Sequence, residues 1–249
     1  MQLVGFPVVA GIVLLAFVAN AKKSAHEKLN NPIRMASFAF SLALFGYTTW
    51  MFFEVFASID LDNGIIFNDY KLYDSYEWFP ALGIHWTVGL DALSFPMVWL
   101  TTFLLPVTII ATWHEKNGAT YFPTLLLMGG ALIGVFVSLD LFMFYVFWEL
   151  TLIPMFFLIL NWGGKDRKYA SQKFFIYTFT ASVVMLLGLV TLYLMQPDQI
   201  GTGGKYGTMT GRTFDIPTLV EVATNANMDG WYMGESMQKV LFVMLMLGF

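Results

Sequence analysis

The chain has 249 residues, no Cys, 12% charged and 57% hydrophobic residues, and a formal net charge of -4, whereas an average soluble domain is about 25% charged and about 45–50% apolar. With a mean hydropathy of +0.65, this composition excludes an ordinary water-soluble enzyme. The absence of thiols excludes a disulfide framework, a thiolate zinc site, an ordinary iron–sulfur cluster and a cysteine nucleophile within the chain. What remains is an all-α, polytopic transmembrane protein.

A bilayer core about 30 Å thick takes about 20 apolar residues in a helix to cross. In chain order, six stretches qualify: residues 3–19, 35–56, 90–112, 121–138, 141–162 and 174–195. The first is followed, not preceded, by Lys22 and Lys23, the reverse of a signal peptide, and so reads as a span. A seventh apolar run, residues 240–249, covers about half a bilayer and is apolar to its last residue. A carboxylate and free carbonyls ending in hydrocarbon cost several kcal/mol, on the order of a lost hydrogen bond each. The expectation is therefore an N-terminal fragment of a longer protein.

Alternate connections carry Lys22, Lys23, Lys28, Arg34, Lys116, Lys165, Arg167, Lys168 and Lys173, while the others carry only Lys71, Lys205, Arg212 and Lys239. The positive-inside rule then puts the N-terminus outside. Of the two long outer connections, residues 57–89 hold Tyr70, Tyr73, Tyr76, Trp78 and Trp86, the composition of a segment at headgroup level. Residues 196–238 read as an irregular loop with a short helix at about 216–223.

Ionisable residues inside spans cost about 2.5–3.5 kcal/mol at a helix centre on insertion scales, so each is a functional hypothesis. Glu149, ninth in the fifth span, is the only charged residue well inside one. Glu54, Asp91, Asp140 and Lys173 stand near span ends, where they read as interfacial anchors. Pro154 cannot donate to the carbonyl of Leu150, which leaves a free carbonyl next to the acid. This favours an ion pathway at Glu149, with a hydrogen-bonded packing contact as the plainer reading. In the sixth span Tyr177, Thr178, Thr180 and Ser182 place hydroxyls on successive turns, either as packing contacts or as a proton wire. Gly130 and Gly134 read as close helix packing, and Pro96 and Pro106 predict kinks in the third span. His26, His85 and His114 all lie in connections, so no intramembrane pair can hold haem. The glycine-rich run 201–207 has Tyr206 where a phosphate-binding loop needs Ser or Thr.

The run from Val137 to Met155, Val-Ser-Leu-Asp-Leu-Phe-Met-Phe-Tyr-Val-Phe-Trp-Glu-Leu-Thr-Leu-Ile-Pro-Met, continues through Asn161-Trp162-Gly163-Gly164. It resembles the fifth-helix signature of the antiporter-like, proton-translocating membrane subunits of respiratory complex I, the subunit M or chain 4 type. Gly89 to Ser94 and Lys173 to Thr178 also look like that family. The resemblance covers about residues 80–195. It implies inverted repeats, with residues 1–112 as three N-terminal helices and residues 113–249 as the truncated first part of the translocating domain, a repeat arrangement that places ion sites near the midplane. It also implies that Glu149 is the proton-translocating acid, paired with a seventh-helix lysine that would lie beyond Phe249. Pro154, Tyr177, Thr178, Ser182 and Lys173 are the supporting candidates. The chain itself is expected to hold no cofactor or metal. The partners implied are membrane-arm and peripheral-arm subunits carrying flavin, iron–sulfur clusters and quinone or phenazine. The setting implied is a bacterial or archaeal cytoplasmic membrane in preference to an organelle inner membrane. An F420H2 dehydrogenase or membrane-bound hydrogenase, a multisubunit Na+/H+ antiporter without redox partners, and a purely structural subunit remain open as alternatives.

Overall fold

The computed structural model describes residues 2–20, 26–57, 71–91, 93–115, 117–196, 212–224 and 235–248. Its helices are α1 (Gln2–Asn20), α2 (His26–Ala57), α3 (Ser94–Ala111), α4 (Gly118–Val137), α5 (Leu141–Trp162), α6 (Arg167–Leu194), α7 (Ile216–Thr224) and α8 (Glu235–Gly248). Two strands, β1 (Lys71–Phe79) and β2 (Ile84–Leu90), form an antiparallel hairpin between α2 and α3. Among the described residues, five helices are long and apolar enough to cross a membrane: the Leu29–Glu54 part of α2, then α3, α4, α5 and α6. The apolar stretch of α1, Pro7–Phe17, is shorter, as is that of α8, Ser236–Gly248.

The fifth span coincides with α5, whereas α2 and α6 start well before their apolar runs. Helical hydrogen bonds need no hydrocarbon, so polar turns extend a helix beyond the membrane edge. The third helix begins at Ser94, not at Leu90, because Leu90 closes β2 and Asp91 starts a cap. Asp91 Oδ1 accepts from the N–H groups of Leu93 (3.1 Å) and Ser94 (2.6 Å), and Ser94 Oγ accepts from Asp91 N–H (3.0 Å), which is reciprocal satisfaction of first-turn donors. This start places Pro96 in the first turn, where no N–H is needed, so the kink expected there has no cause. Pro106 does lie inside α3.

Packing centres on α4, which lies against α1, α2, α3 and α5. In its most apolar window 61% of residues are buried, against 22% in α5 and in α6, so the latter two present open faces to lipid or to neighbours. The two glycines of the small-residue pair serve different partners. A Cβ on Gly130 would meet Val8 Cγ2 of α1 at 2.7 Å, and one on Gly134 would collide with the ring of Phe147 on α5. Close approach of backbones is thus the role of both.

At one end of the bundle the hairpin covers the helix ends, with Val88 and Leu90 joining a buried cluster that includes Leu44, Phe95, Ile133, Val137, Met143 and Phe147. The expected headgroup-level segment is therefore a paired hairpin over its described part, although Tyr76 and Trp78 do stay exposed. Gly83, at φ 61, turns the hairpin, and a Cβ there would collide with the Arg212 carbonyl. Both the left-handed backbone and the close approach require glycine. At the opposite, basic end, Asn30 Oδ1 of α2 accepts from Ala119 N–H at the start of α4 (2.9 Å), and the Arg34 guanidinium lies over Trp113 and Phe122 at 5.5 and 5.6 Å.

Candidate functional site

Glu149 projects from the middle of α5, and its Oε1 is buried with no hydrogen-bond partner among the described residues. One turn earlier on the same helix stands Tyr145, whose hydroxyl interacts with both Glu149 and Ser182 of α6. The spacing of four residues puts Tyr145 and Glu149 on one helix face. Tyr145 was not singled out from sequence; the signal was there, since a tyrosine four residues before a lone carboxylate is its natural neighbour. Pro154 is buried and leaves the Leu150 carbonyl without an intrahelical donor. An acid, a phenol and a hydroxyl therefore meet on two neighbouring apolar helices.

Of the other candidates, only Ser182 belongs to this cluster. Ser182 is fully buried and its Oγ donates to the Phe179 carbonyl at 2.9 Å. Thr178 and Thr180 donate to the carbonyls of Phe174 and Ile176, each at 2.7 Å, so their hydrogens are used within α6, as in a packing helix. Tyr177 is 68% exposed. Lys173 places its ammonium 5.7 Å from the Tyr177 ring and 5.6 Å from that of Tyr169. It stands nine residues, or about 13 Å of helix, from Ser182. The structure thus joins Ser182 to Glu149 through Tyr145, and sets Lys173 and Tyr177 apart on an open face of α6.

Helix α8 packs antiparallel on α6. Gly188 lies 3.3 Å from the Met244 Cβ, measured from an ideal Cβ position, while a Cβ on Gly248 would collide with Met185. Going along α8 toward its end therefore means going along α6 toward Ser182. Among the described residues no group of three or more His, Cys, Asp or Glu side chains is gathered for a metal ion.

Asp140 corrects a sequence expectation. It is no snorkelling anchor but is 0% exposed and caps α5, its Oδ1 accepting from the N–H groups of Phe142 (2.9 Å) and Met143 (3.1 Å). A carboxylate at a helix N-terminus satisfies otherwise orphaned donors. Burial pushes its carboxyl up to about 6.

The fold defines a polytopic helical membrane protein, with five helices among the described residues long and apolar enough to span. Residues 138–249 match the model of the family described as NADH:quinone oxidoreductase/Mrp antiporter, TM. The chain is 43% identical over 152 residues to the F(420)H(2) dehydrogenase subunit M of Methanosarcina mazei, covering 60% of this chain and 29% of that protein. It is 45% identical over 137 residues to the NADH-quinone oxidoreductase subunit M of Rhodobacter capsulatus, covering 55% and 25%. Its fold matches a chain of respiratory complex I from Thermus thermophilus with a TM-score of 0.72 at 21% identity, covering 99% of this chain and 42% of that one. The chain thus spans between a quarter and a third of the length of these two curated relatives.

Proposed function

We propose that this chain is part of a proton-translocating membrane-arm subunit of a complex I type oxidoreductase, in which Glu149 takes up and passes on the proton. The observation that carries this reading is the buried, unpartnered Glu149 Oε1 beside Tyr145 and Ser182. A buried oxygen without a donor is costly, and a site that binds and releases a proton has a use for it. Tyr145, able both to donate and to accept, is placed to relay a proton between the Glu149 carboxyl and Ser182. Lys173 is then a surface cation of α6 and not the partner of Glu149. The direction of α8, antiparallel to α6 with Gly248 against Met185, is in keeping with the implied pairing of Glu149 with a seventh-helix lysine. A cation arriving there holds the carboxylate charged, and its withdrawal lets the acid take a proton.

In this reading residues 1–112 form the N-terminal helices and residues 113–249 belong to the translocating domain. The hairpin end faces outward and the basic end lies on the cytoplasmic side of a bacterial or archaeal membrane, as the placement of Lys and Arg favours. Electron transfer belongs to partner subunits with flavin, iron–sulfur clusters and quinone or phenazine. The similarity to an F420H2 dehydrogenase subunit as well as to an NADH-quinone oxidoreductase subunit leaves the donor to those partners. In the full-length subunit within its complex, Glu149→Gln is expected to lower or halt proton translocation with assembly retained; translocation at the wild-type rate contradicts the proposal. Copurification of flavin and iron–sulfur subunits separates a redox-driven pump from an antiporter without redox partners.

A further inference from the structure

At the hairpin end, three distant pieces of chain are stitched together by backbone pairing. Leu139 N–H donates to the Thr87 carbonyl (2.9 Å), Leu141 N–H to the Phe214 carbonyl (2.9 Å) and Ile216 N–H to the Leu139 carbonyl (2.8 Å). The last two bonds flank the bridge between Asp140 and Asp215. They make it a pair of the non-hydrogen-bonded kind, in which Cα atoms lie about 4.5 Å apart and the side chains emerge together on one face. Both residues are 0% exposed.

Taken oxygen by oxygen, one oxygen of the pair has no donor at ordinary hydrogen-bond distance among the described residues. Asp140 Oδ1 accepts from Phe142 and Met143 N–H, and Asp140 Oδ2 from His85 N–H (3.1 Å). Asp215 Oδ2 accepts from the N–H (3.0 Å) and the hydroxyl (2.6 Å) of Thr218. Asp215 Oδ1 is buried with no partner at ordinary hydrogen-bond distance among the described residues, although the Thr87 side chain lies near enough to favour the charged form of Asp215. Two ionised carboxylates are acceptors only. As two anions they would stand side by side out of water with one oxygen undonated, an arrangement that like-charge repulsion and desolvation both oppose. A single proton removes both difficulties. On Asp215 Oδ1 it becomes a donor, and Asp140 Oδ2, which accepts only one N–H, keeps a lone pair to receive it.

The surroundings favour a proton over a bound cation. Among the described residues, the polar groups around the pair are Thr218 of α7, Thr213 of the preceding segment, Thr87 and His85 of β2, and the α5 N-terminus. His85 is the titratable side chain whose charge acts on Asp215. Arg212, three residues before Asp215, donates its Nε to the Gln196 carbonyl (3.1 Å). We infer that Asp140 and Asp215 form a proton-binding site holding one proton between the two carboxylates. Burial pushes the Asp215 carboxyl above the usual range, as it does that of Asp140. The site lies nine residues, about 13 Å of helix, from Glu149, and does not rest on the translocation reading.

The test is infrared difference spectroscopy of the full-length subunit in its complex, titrated from about pH 5 to about pH 8, following the C=O stretch of protonated carboxylic acids. The wild type is expected to lose one acid band in this range, and Asp215→Asn to lack that band. Asp140→Asn keeps a capping acceptor for α5 and removes the like-charged neighbour. The remaining acid then binds its proton at least tenfold less tightly. If Asp215→Asn does not assemble, the Asp140→Asn titration decides alone, and an unchanged titration overturns the inference. It is equally overturned if neither Asp variant alters a band, if each removes a separate band of its own, or if the band is lost in Glu149→Gln and in neither Asp variant.

Discussion

Glu149 is the only charged side chain between Asp140 and Lys165, and a charge in that position is retained only where it has a use or a partner. Its polar neighbour on the same helix face, Tyr145, gives the first prediction at this scale. Tyr145→Phe removes the hydroxyl between Glu149 and Ser182 and leaves the ring packing in place. A loss of about 1 kcal/mol for one hydrogen bond corresponds to a several-fold slower translocation. Single-turnover proton uptake checks it, and an unchanged rate removes Tyr145 from the path. The same measurement on Thr178→Val is expected to show little change, because the Thr178 hydroxyl is turned to the Phe174 carbonyl of its own helix. Glu149 was legible in the sequence because charge is so scarce. Asp140 was misread as an anchor, since distance from a span end says nothing about what folds over that end. Only the hairpin and residues 212–216, far away in sequence, bury it.

Helix placement followed from the length of the apolar runs, and α5 and the short α7 fell close to where the sequence put them. The hairpin did not, because its aromatic content fits an interfacial segment as well as a strand, and the pairing partner of β1 cannot be read from β1. At this scale the glycines are the sensitive points. Gly134→Leu forces Phe147 out of its place against α4, and overpacking of this kind costs about 1–3 kcal/mol. A lower melting temperature of the detergent-solubilised complex is expected, with Gly46→Ala as the neutral control, since nothing lies near a Cβ there.

The strap joining β2, the start of α5 and residues 214–216 supplies a pH prediction. A carboxyl whose folded value is raised binds more protons in the folded than in the unfolded state, so stability falls as pH rises through that window. For Asp140 the window runs from 3.8 to about 6. Hydrogen exchange at the Leu141 and Ile216 amides is therefore expected to show greater protection factors at the acidic end of that window than above it. Protection that stays flat or grows with pH contradicts this.

At the scale of the whole molecule, α4 is enclosed while α5 and α6 keep open apolar faces, the distribution expected of a subunit that meets lipid or further helices on that side. The composition alone indicated a membrane protein, and the signature around Glu149 indicated which kind. What the sequence could not show was the geometry joining the two halves of the proposed path: Tyr145 bridging α5 to α6, and α8 running along α6 toward Ser182. Both depend on how helices face one another, which hydropathy does not encode. If the full-length protein carries a lysine within about ten residues after Phe249, about three helical turns, that side chain is expected to enter the polar cluster; a continuation with no cation there breaks the proposed pairing.

The most direct test reconstitutes the complex containing the full-length subunit in vesicles and measures protons moved per electron transferred. Glu149→Gln is expected to lower that ratio or to halt coupled turnover, whereas Glu149→Asp, which keeps the acid, retains part of it. An unchanged ratio at full electron-transfer rate in Glu149→Gln would show that Glu149 is a packing contact and not the proton carrier.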